Sequence, residues 1–486
     1  MTTFFKKPSF TSLLWLALAL IVLARLVTLD AYPLFGTTEP RYAELARKML
    51  ATGDWVTLWV ADGVPLWGKP PLLFWLDALS MMALGINEFA LRLPPFVASL
   101  LTIWLFWFWP VRADKTQNAL MASLIFFSTP VGFLSMGFVA TDIFLAGGLA
   151  LSMLSFWRVL LLSSSGKDHP ARACIWHWLF FVGMAIGLLA KGPLSLVLMG
   201  TALLAWVLFE PRKRLIFIWR CFPWWRGLVL MALIAFPWYV MAEMRTPGFL
   251  HHFIIGEHFE RFLVKDWNGG RFAPSHGEPL GMIWWFALES FVPWILLAPV
   301  ALYHAYSIKR PRQESSDSSL PAPSETQYLL CWLLAPLVFF SLSHNILEAY
   351  VLPALPAFAL LARNAIAALI LRARAWQWSW LLVTIMPVFI VAVIVLSPEV
   401  FETQSQRRLL KHWTPHTPLL YVGAVPPSAT FYSHNQAQSI ADWAAIQHAR
   451  SATVVMPQTV FDTLTVEQTS AWRFVESYSG YVMLRK

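Results

Sequence analysis

Charged residues and cysteines are scarce in this 486-residue chain. Only 13% of the residues are Asp, Glu, Lys or Arg, whereas soluble globular proteins carry about 25%. Hydrophobic residues make up 58%, so the composition excludes a soluble globular protein and predicts a polytopic α-helical membrane protein. The three cysteines, Cys174, Cys221 and Cys331, lie far apart, and this spacing fits neither a zinc site nor a disulfide framework.

The net charge of +9 does not indicate nucleic-acid binding, because the basic residues lie in short loops between apolar stretches. About 20 apolar residues span a bilayer. Windows of that size predict eleven spans, near residues 10–30, 90–110, 119–138, 142–162, 175–190, 193–209, 226–243, 283–305, 327–344, 347–369 and 377–397. Basic residues favour cytoplasmic loops, and these groups all fall on one side: Lys6/Lys7, Arg112/Lys115, Lys167/Arg172, Arg212–Arg220, Lys309–Arg312 and Arg372/Arg374. The N-terminus is therefore predicted to be cytoplasmic.

The segment Pro70–Ile86 is apolar enough for a span, but it is short, begins with two prolines and contains Asp77. Counting it as a span would invert every later loop, so we interpret it as a helix in the outer interface. The run Leu13–Leu29 lacks a cleavage site and is predicted to be a retained anchor. A transmembrane domain then covers 1–397, with a first exported loop at 31–90.

The chain becomes more polar after Pro398, which predicts a small exported α/β domain over 398–486. This domain is expected to contain a helix near Glu402–His412 and strands at Leu419–Gly423, Thr453–Met456 and Tyr481–Arg485. It carries no catalytic motif.

The first exported loop gathers charges at the edge of the membrane, where they are costly unless paired or used. An amphipathic helix is predicted between Thr37 or Thr38 and Gly53. One face is apolar, and the other is charged: Arg41, Glu44, Arg47 and Lys48. These charges either rest in water beside the membrane or line a site for a charged, lipid-borne substrate.

Two single residues stand out against their apolar surroundings. Lys69 is fixed at the membrane rim by Pro70 and Pro71, where its ammonium is suited to binding a phosphate of a lipid carrier. Asp142 begins an apolar span without a charged neighbour in sequence. A carboxylate at this depth is either functional or paired with an arginine for packing.

The exported loop 244–282 is dense in arginine, histidine and glutamate. Glu257, His258, Glu260 and Arg261 lie close together, and Arg271 and His276 follow a Gly-Gly break. Because their spacing matches no zinc motif, no metal is predicted, although a divalent cation is conceivable. A basic pocket for phosphate oxygens fits better. Lys191 and the segment 341–353 place further polar groups at this edge, either in the site or as snorkelling anchors.

The blocks TEPRYAELARKMLATGDW and GKPPLLFWL resemble the first periplasmic loop of bacterial GT-C membrane glycosyltransferases. These include the protein O-mannosyltransferases and the undecaprenyl-phosphate aminoarabinose transferase of lipid A. Later blocks follow in the family's order, so that the resemblance covers about residues 10–400: FVATDIFLA, LLAKGPLSLVL, FPWYVMAEMRTPGFLHHFIIGEHFERF and FSLSHNILEAYVLPALPAFALLA.

The resemblance implies a GT-C fold with about 11–13 transmembrane helices, juxtamembrane helices in a large first periplasmic loop and no cofactor. It also implies an enzyme of the bacterial inner membrane, with its active site and C-terminal domain on the periplasmic face. Such enzymes pass a sugar from a polyprenyl phosphate to an acceptor such as lipid A, envelope glycan or protein.

The resemblance also assigns roles to residues of this chain. Glu39 and Asp142 are the expected catalytic acids. The family's lysine that meets the donor phosphate matches Lys69, and we expect Arg261 or Arg271 to assist it in neutralising the phosphate. Substrate binding is expected from the remaining matched or nearby residues: Arg41, Tyr42, Glu44, Lys191, Glu257, His258, His276 and Tyr350.

Three departures from the family pattern argue against aminoarabinose as the sugar. Thr38 stands where an acid usually precedes Glu39, Gly68 replaces a glutamate before Lys-Pro, and His344-Asn345 with Glu348 replaces a lysine-rich block. Two other functions remain open. A transporter or flippase would favour mid-bilayer charges and inverted repeats, which the sequence lacks. A noncatalytic binder of lipid-linked sugar is compatible with the missing acid.

Overall fold

The computed structural model describes residues 9–61, 63–110, 114–164, 170–265, 267, 277–297, 323–370, 376–415, 417–446 and 451–486. The helices before the tail are α1 Phe10–Thr28, α2 Thr38–Thr52, α3 Leu72–Leu84, α4 Glu88–Trp104, α5 Lys115–Phe127, α6 Pro130–Ser135, α7 Asp142–Ser164, α8 Pro170–Lys191, α9 Leu194–Val207, α10 Arg212–Cys221, α11 Trp224–Arg245, α12 Phe249–His251, α13 Arg261–Leu263, α14 Met282–Ser290, α15 Glu325–Phe340, α16 Leu355–Ile370 and α17 Trp376–Leu396. A π-helical segment, His252–Glu260, joins α12 to α13.

Within the described ranges, four helices are long and apolar enough to cross a membrane: Phe10–Thr28, Glu88–Phe108, Asp142–Leu161 and Trp224–Arg245. Shorter apolar helices in the described part of the chain are Leu72–Leu84, Ile175–Lys191, Leu194–Val207, Glu325–Phe340 and Leu382–Leu396. The predicted polytopic helical architecture is therefore confirmed.

The predicted single span over 119–138 is wrong. Helix α5 ends at Phe127, and Thr129 caps a separate short helix by accepting a hydrogen bond from the Gly132 amide. The predicted span over 347–369 begins with the 3-10 turn Glu348–Ala354 before α16. Prolines stand at Pro130 and Pro353, where they interrupt regular helical hydrogen bonding.

The chain divides into two compact units. The helix unit comprises Met1–Leu26, Val56–Leu73 and Pro94–Ile390. The loop-and-tail unit comprises Val27–Trp55, Phe74–Leu93 and Val391–Lys486. The predicted tail domain, 398–486, thus belongs to a unit that also contains two parts of the first loop.

Helices α7 and α8 of the helix unit pack with their backbones almost in contact. A Cβ atom at Gly148 would lie 2.8 Å from the Gly183 carbonyl oxygen, and one at Gly183 would lie 2.4 Å from Oγ of Ser152. Small residues allow such close approach between membrane helices. The first residue of α7, Asp142, is thereby held beside the last residue of α8, Lys191.

The tail contains a five-stranded sheet in the order β4-β3-β5-β7-β6. Strand β3 runs parallel to β4 and β5, whereas β7 runs antiparallel to β5 and β6. The strands of this sheet are β3 Leu419–Val422, β4 Ala437–Ile440, β5 Thr453–Pro457, β6 Arg473–Tyr478 and β7 Tyr481–Arg485. A separate pair of strands lies in the first loop, β1 Trp59–Ala61 and β2 Val64–Pro65. The short tail helices are α18 Glu399–Glu402, α19 Arg407–Leu410, α20 Pro427–Tyr432, α21 Gln458–Phe461 and α22 Val466–Thr469.

All three predicted strands are confirmed, and the two edge strands β4 and β6 were not predicted. The helix expected near Glu402–His412 is present only as the two short turns α18 and α19.

Tyr432 joins the tail to the first loop within the loop-and-tail unit. Its hydroxyl donates to Oε1 of Glu88 at 2.8 Å and accepts from the Leu34 amide at 2.8 Å. Arg407 pairs with the same Glu88 carboxylate at 3.2 Å. The Phe401 ring lies 4.7 Å from the Tyr32 ring, centroid to centroid. The first loop is therefore built partly by residues near the end of the chain.

Replacing Tyr432 with phenylalanine removes a hydroxyl that is hydrogen-bonded on two sides. A buried group left without its partner costs about 1–3 kcal/mol, so Tyr432→Phe should lower the midpoint of thermal unfolding of the purified protein. Tyr481→Phe is the matched control, because the Tyr481 hydroxyl makes no hydrogen bond among the described residues. Equal midpoints for the two variants would contradict this role of Tyr432.

Candidate functional site

Lys69 lies near several charged side chains in the helix unit. Among the described residues its ammonium makes no hydrogen bond or ion pair. Burial lowers the pKa of the Lys69 ammonium from its ordinary value; Glu257 and Tyr350 act against this, and Arg261 and Lys191 act with it. Three cationic side chains therefore converge, and one of them is available to an anion.

Asp142 and Lys191 form a buried ion pair in which Nζ lies 2.5 Å from Oδ1. Both positions suit the helix dipoles, because the acid begins α7 and the base ends α8. The Lys191 ammonium also lies 4.2 Å from the centroid of the Tyr350 ring, a cation–π contact. Lys191 is only 8% exposed, so it does not snorkel, and the partner of Asp142 is a lysine rather than an arginine.

The segment Phe253–Arg261 carries Glu257, the acid that acts electrostatically on Lys69. Arg261 donates from Nη1 to Oε2 of Glu257 at 2.9 Å, one helical turn away. The segment is π-helical over most of its length, a geometry that is frequent at functional sites.

His258 ties this segment to the end of α8. Its Nδ1 lies 2.7 Å from the Phe253 carbonyl oxygen and its Nε2 lies 3.2 Å from that of Lys191. Burial lowers the pKa of the His258 imidazole, and the two carbonyls act against that shift. A neutral ring donates to only one of them. These contacts position His258 between the two backbones, and its role toward a substrate stays a prediction.

Two glycines permit these close contacts. A Cβ atom at Gly68 would lie 3.1 Å from Oε1 of Glu257, so the carboxylate of Glu257 occupies the space beside Gly68. Gly192, directly after Lys191, has a φ of +70°, and a Cβ atom there would lie 2.6 Å from Cζ of Phe253. A side chain at Gly192 would be both strained and blocked.

Sequence reasoning missed the residues that brace this segment. The Asn345 amide donates from Nδ2 to the carbonyls of Arg261 at 2.7 Å and Val264 at 3.1 Å. His344 Nδ1 lies 2.9 Å from the Glu278 carbonyl oxygen. The sequence did contain a signal, because the polar Ser-His-Asn run stands in an apolar region and suggested either a site or an anchor. In the structure this run holds the backbone of the segment that carries Arg261.

Glu39, the other predicted catalytic acid, lies in the loop-and-tail unit and is fully buried. Arg92 donates to it from Nη2 at 2.8 Å and from Nε at 3.3 Å. Arg92 also donates to the carbonyls of Leu29, Tyr32 and Pro33. This pairing favours a structural role for Glu39, and its catalytic role stays a prediction.

Helix α2 is confirmed and ends at Gly53, which adopts a left-handed conformation with φ +68°. The Thr37 side chain makes no capping hydrogen bond. Of the two alternatives for the charged face of α2, the one that places it in water is wrong, because Glu44, Arg47 and Lys48 are all buried. Tertiary packing covers this face.

The predicted substrate-binding residues of α2 have protein partners. Arg47 donates to both carboxylate oxygens of Glu44, at 2.7 and 2.8 Å. Tyr42 packs its ring edge-on against Phe74, 5.3 Å between centroids, and the Arg41 guanidinium lies 5.4 Å from the Tyr42 ring. Their roles toward a substrate stay predictions.

Arg271 and His276, two further predicted site residues, lie outside the described residues. In the part of the chain that is described, no three His, Cys, Asp or Glu side chains are arranged to hold a metal ion.

The family model for dolichyl-phosphate-mannose-protein mannosyltransferases matches residues 9–253, just over half of the chain. The chain belongs to this family. The undecaprenyl phosphate-alpha-4-amino-4-deoxy-L-arabinose arabinosyl transferase of Aeromonas hydrophila is 29% identical over 343 residues, which cover 70% of this chain and 58% of that relative. The corresponding transferase of Aeromonas salmonicida is 28% identical over 393 residues, covering 79% of this chain and 66% of the relative. This family member thus spans less than two thirds of the length of these relatives.

The fold of this family member is similar to that of ArnT from Cupriavidus metallidurans. The crystal structure of ArnT bound to undecaprenyl phosphate superposes with a TM-score of 0.77 at 20% identity, covering 98% of both chains. The apo structure gives a TM-score of 0.75. The expected GT-C fold is therefore confirmed.

The Asp142–Lys191 pair can be tested by a double-mutant cycle on this family member. Asp142→Asn and Lys191→Met each leave one buried partner uncompensated, so each should lower the midpoint of thermal unfolding. The double variant Asp142→Asn/Lys191→Met should lose less than the sum of the two, with a coupling energy of about 0.5–3 kcal/mol. Strict additivity of the two losses would show that the pair contributes nothing to stability.

Proposed function

We propose that this chain is a glycosyltransferase of the bacterial inner membrane that moves a hexosyl or pentosyl group from an undecaprenyl phosphate donor to an acceptor such as lipid A, envelope glycan or protein. The observation that carries the proposal is the half-buried Lys69, which lies near Arg261 and Lys191 and has no ion-pair partner among the described residues. Three converging cations at the end of apolar helices suit the phosphate of a lipid carrier. The undecaprenyl phosphate donor of the Aeromonas hydrophila relative supports the same donor class.

In the proposed reaction the bond between the sugar C1 and the phosphate oxygen breaks, and C1 bonds to an acceptor oxygen. The electron pair of the broken bond stays on the phosphate, which leaves as undecaprenyl phosphate. Lys69 neutralises the charge that builds on this leaving group, with Arg261 beside it. Fixed cations in an enclosed site are effective because they need no reorganisation during the reaction.

Asp142 is the candidate that acts on the acceptor. Lys191 holds one of its carboxylate oxygens, and the other oxygen is suited to accepting the proton of an acceptor hydroxyl. General-base assistance of this kind contributes about 10² to 10⁴ in rate. An acceptor phosphate would need no base, because it is already an anion.

The charge balance of the site favours a neutral sugar. Glu257, which acts electrostatically on Lys69, is paired with Arg261, and Asp142 is paired with Lys191. A carboxylate whose charge is already matched by a protein cation gains less from the ammonium of an amino sugar, so these acids do not require one. Gly68 adds no further acid, since the Glu257 carboxylate fills the space beside it.

The placement of basic residues supports a periplasmic site. Helix α10, with Arg212 and Arg220, connects α9 to α11. The C-terminal part of α11 lies beside the end of α8 that carries Lys191, because the Tyr239 hydroxyl donates to the Leu188 carbonyl at 2.7 Å. The basic helix therefore lies at the opposite ends of α9 and α11 from Lys191. Basic connections favour the cytoplasm, so the Lys69 site is proposed to face the periplasm.

Turnover tests the proposed role of Lys69. Purified protein is supplied with a panel of undecaprenyl-phosphate sugars and acceptors, and released undecaprenyl phosphate is quantified by mass spectrometry. Lys69→Ala should reduce release by about 10² or more, the usual effect of losing one charge-stabilising group. Lys411→Ala, on an exposed lysine of the tail, is the matched control. Full turnover by Lys69→Ala would remove the phosphate role, and release by neither protein would overturn the enzymatic function.

The lowered pKa of Lys69 predicts a pH dependence of carrier binding. The ammonium binds phosphate only while protonated, so affinity for undecaprenyl phosphate is full at low pH and falls as pH rises through the lowered pKa. Lys69→Arg keeps its charge and should show a flat profile over that range. Equilibrium binding across pH in detergent makes the comparison. Identical profiles for wild type and Lys69→Arg would exclude Lys69 as the titrating group.

A further inference from the structure

Helix α10 presents an unusual exposed stripe at the end of the helix unit away from the Lys69 site. Arg212, Ile216, Trp219 and Arg220 are all exposed, and their spacing places them on one helical face. The opposite face is buried through Ile218 and through Arg214, which pairs with Glu210. The stripe therefore mixes arginine with large apolar side chains.

The residues that flank α10 continue this pattern. Leu208, Phe209 and Trp225 are at least 70% exposed, as is Trp219 on the stripe itself. The Trp219 ring stacks on Trp224 at 5.7 Å, and Trp224 Nε1 donates to the Trp219 carbonyl at 3.0 Å, so this aromatic group is fixed in place. So much clustered apolar surface is unfavourable in water.

The arginines of this surface are available for ligands. Arg212, Arg220 and Arg226 are exposed, and none forms an ion pair with a carboxylate in the part of the chain that the structure describes. Tryptophan and arginine together are typical of the boundary between acyl chains and headgroups. Phosphate groups are the anions present at that depth, and arginine binds them with two parallel hydrogen bonds.

We propose that Arg212, Arg220 and Arg226, with Trp219 and Trp225, form a binding surface for anionic phospholipid headgroups on the membrane face opposite the Lys69 site. The indole rings rest on the acyl boundary, and the guanidinium groups bind the lipid phosphates and the negative surface they create. Each basic residue near such a surface contributes about fivefold to association. The proposal needs no catalytic activity and stands on different residues from the proposed function.

Native mass spectrometry of the purified full-length protein tests this surface with phosphatidylglycerol and phosphatidylcholine at equal concentration. Wild type should retain phosphatidylglycerol in preference. Arg212→Gln/Arg220→Gln/Arg226→Gln should lower the ratio of bound phosphatidylglycerol to phosphatidylcholine at least about fivefold, the contribution of one arginine, and by about 10² when all three contribute. The matched triple Lys variant at the same positions keeps the charge and should keep most of the preference.

Two results would overturn the proposal: no preference for phosphatidylglycerol in wild type, or the same preference in the Gln variant. Thermal unfolding and undecaprenyl phosphate binding are measured on each variant, and both should match wild type because the three arginines are exposed and far along the helices from Lys69. Should the Gln variant fail to fold, Trp219→Ala and Trp225→Ala provide the second test, with weaker retention of both lipids expected and unchanged retention counting against the surface.

Discussion

Enclosing several cations in one place is unfavourable unless anions accompany them, and this constraint organises the helix unit. Lys191 and Arg261 are each matched by a carboxylate, Asp142 and Glu257. Lys69 makes no such pair among the residues described, and burial lowers the pKa of its ammonium. The arrangement is therefore one negative charge short of balance. In the function proposed above, the phosphate of a lipid-linked sugar would supply the missing negative charge.

The surrounding packing keeps this group in place. The close contact of α7 and α8 through Gly148 and Gly183 aligns the two helix ends that carry Asp142 and Lys191. His258 binds the end of α8 to the segment that carries Arg261, and Asn345 holds the carbonyl of Arg261. Positions of charge are thus fixed by helix packing and backbone hydrogen bonds, which is the condition for electrostatic stabilisation without reorganisation.

Much of the site was visible in the sequence because single charges stand out in apolar surroundings: Lys69, Asp142 and Lys191 were all identified in this way. Their pairing was not visible, since Asp142 and Lys191 are 49 positions apart. The Glu39–Arg92 pair was also missed, since its members are 53 positions apart. In addition, Arg92 lies inside an apolar helix and was counted as part of it. Tyr432 and Glu88 are 344 positions apart, so the joining of the tail to the first loop had no local signal. Strands β4 and β6 lie at the sheet edges and lack the apolar alternation by which strands are recognised.

The most direct test of the account is an experimental structure of the protein with undecaprenyl phosphate bound. The lipid phosphate should lie within hydrogen-bond distance of Nζ of Lys69, with Arg261 beside it and the prenyl chain leading into the surrounding lipid. A phosphate bound elsewhere, with Lys69 making no contact to it, would contradict the central claim.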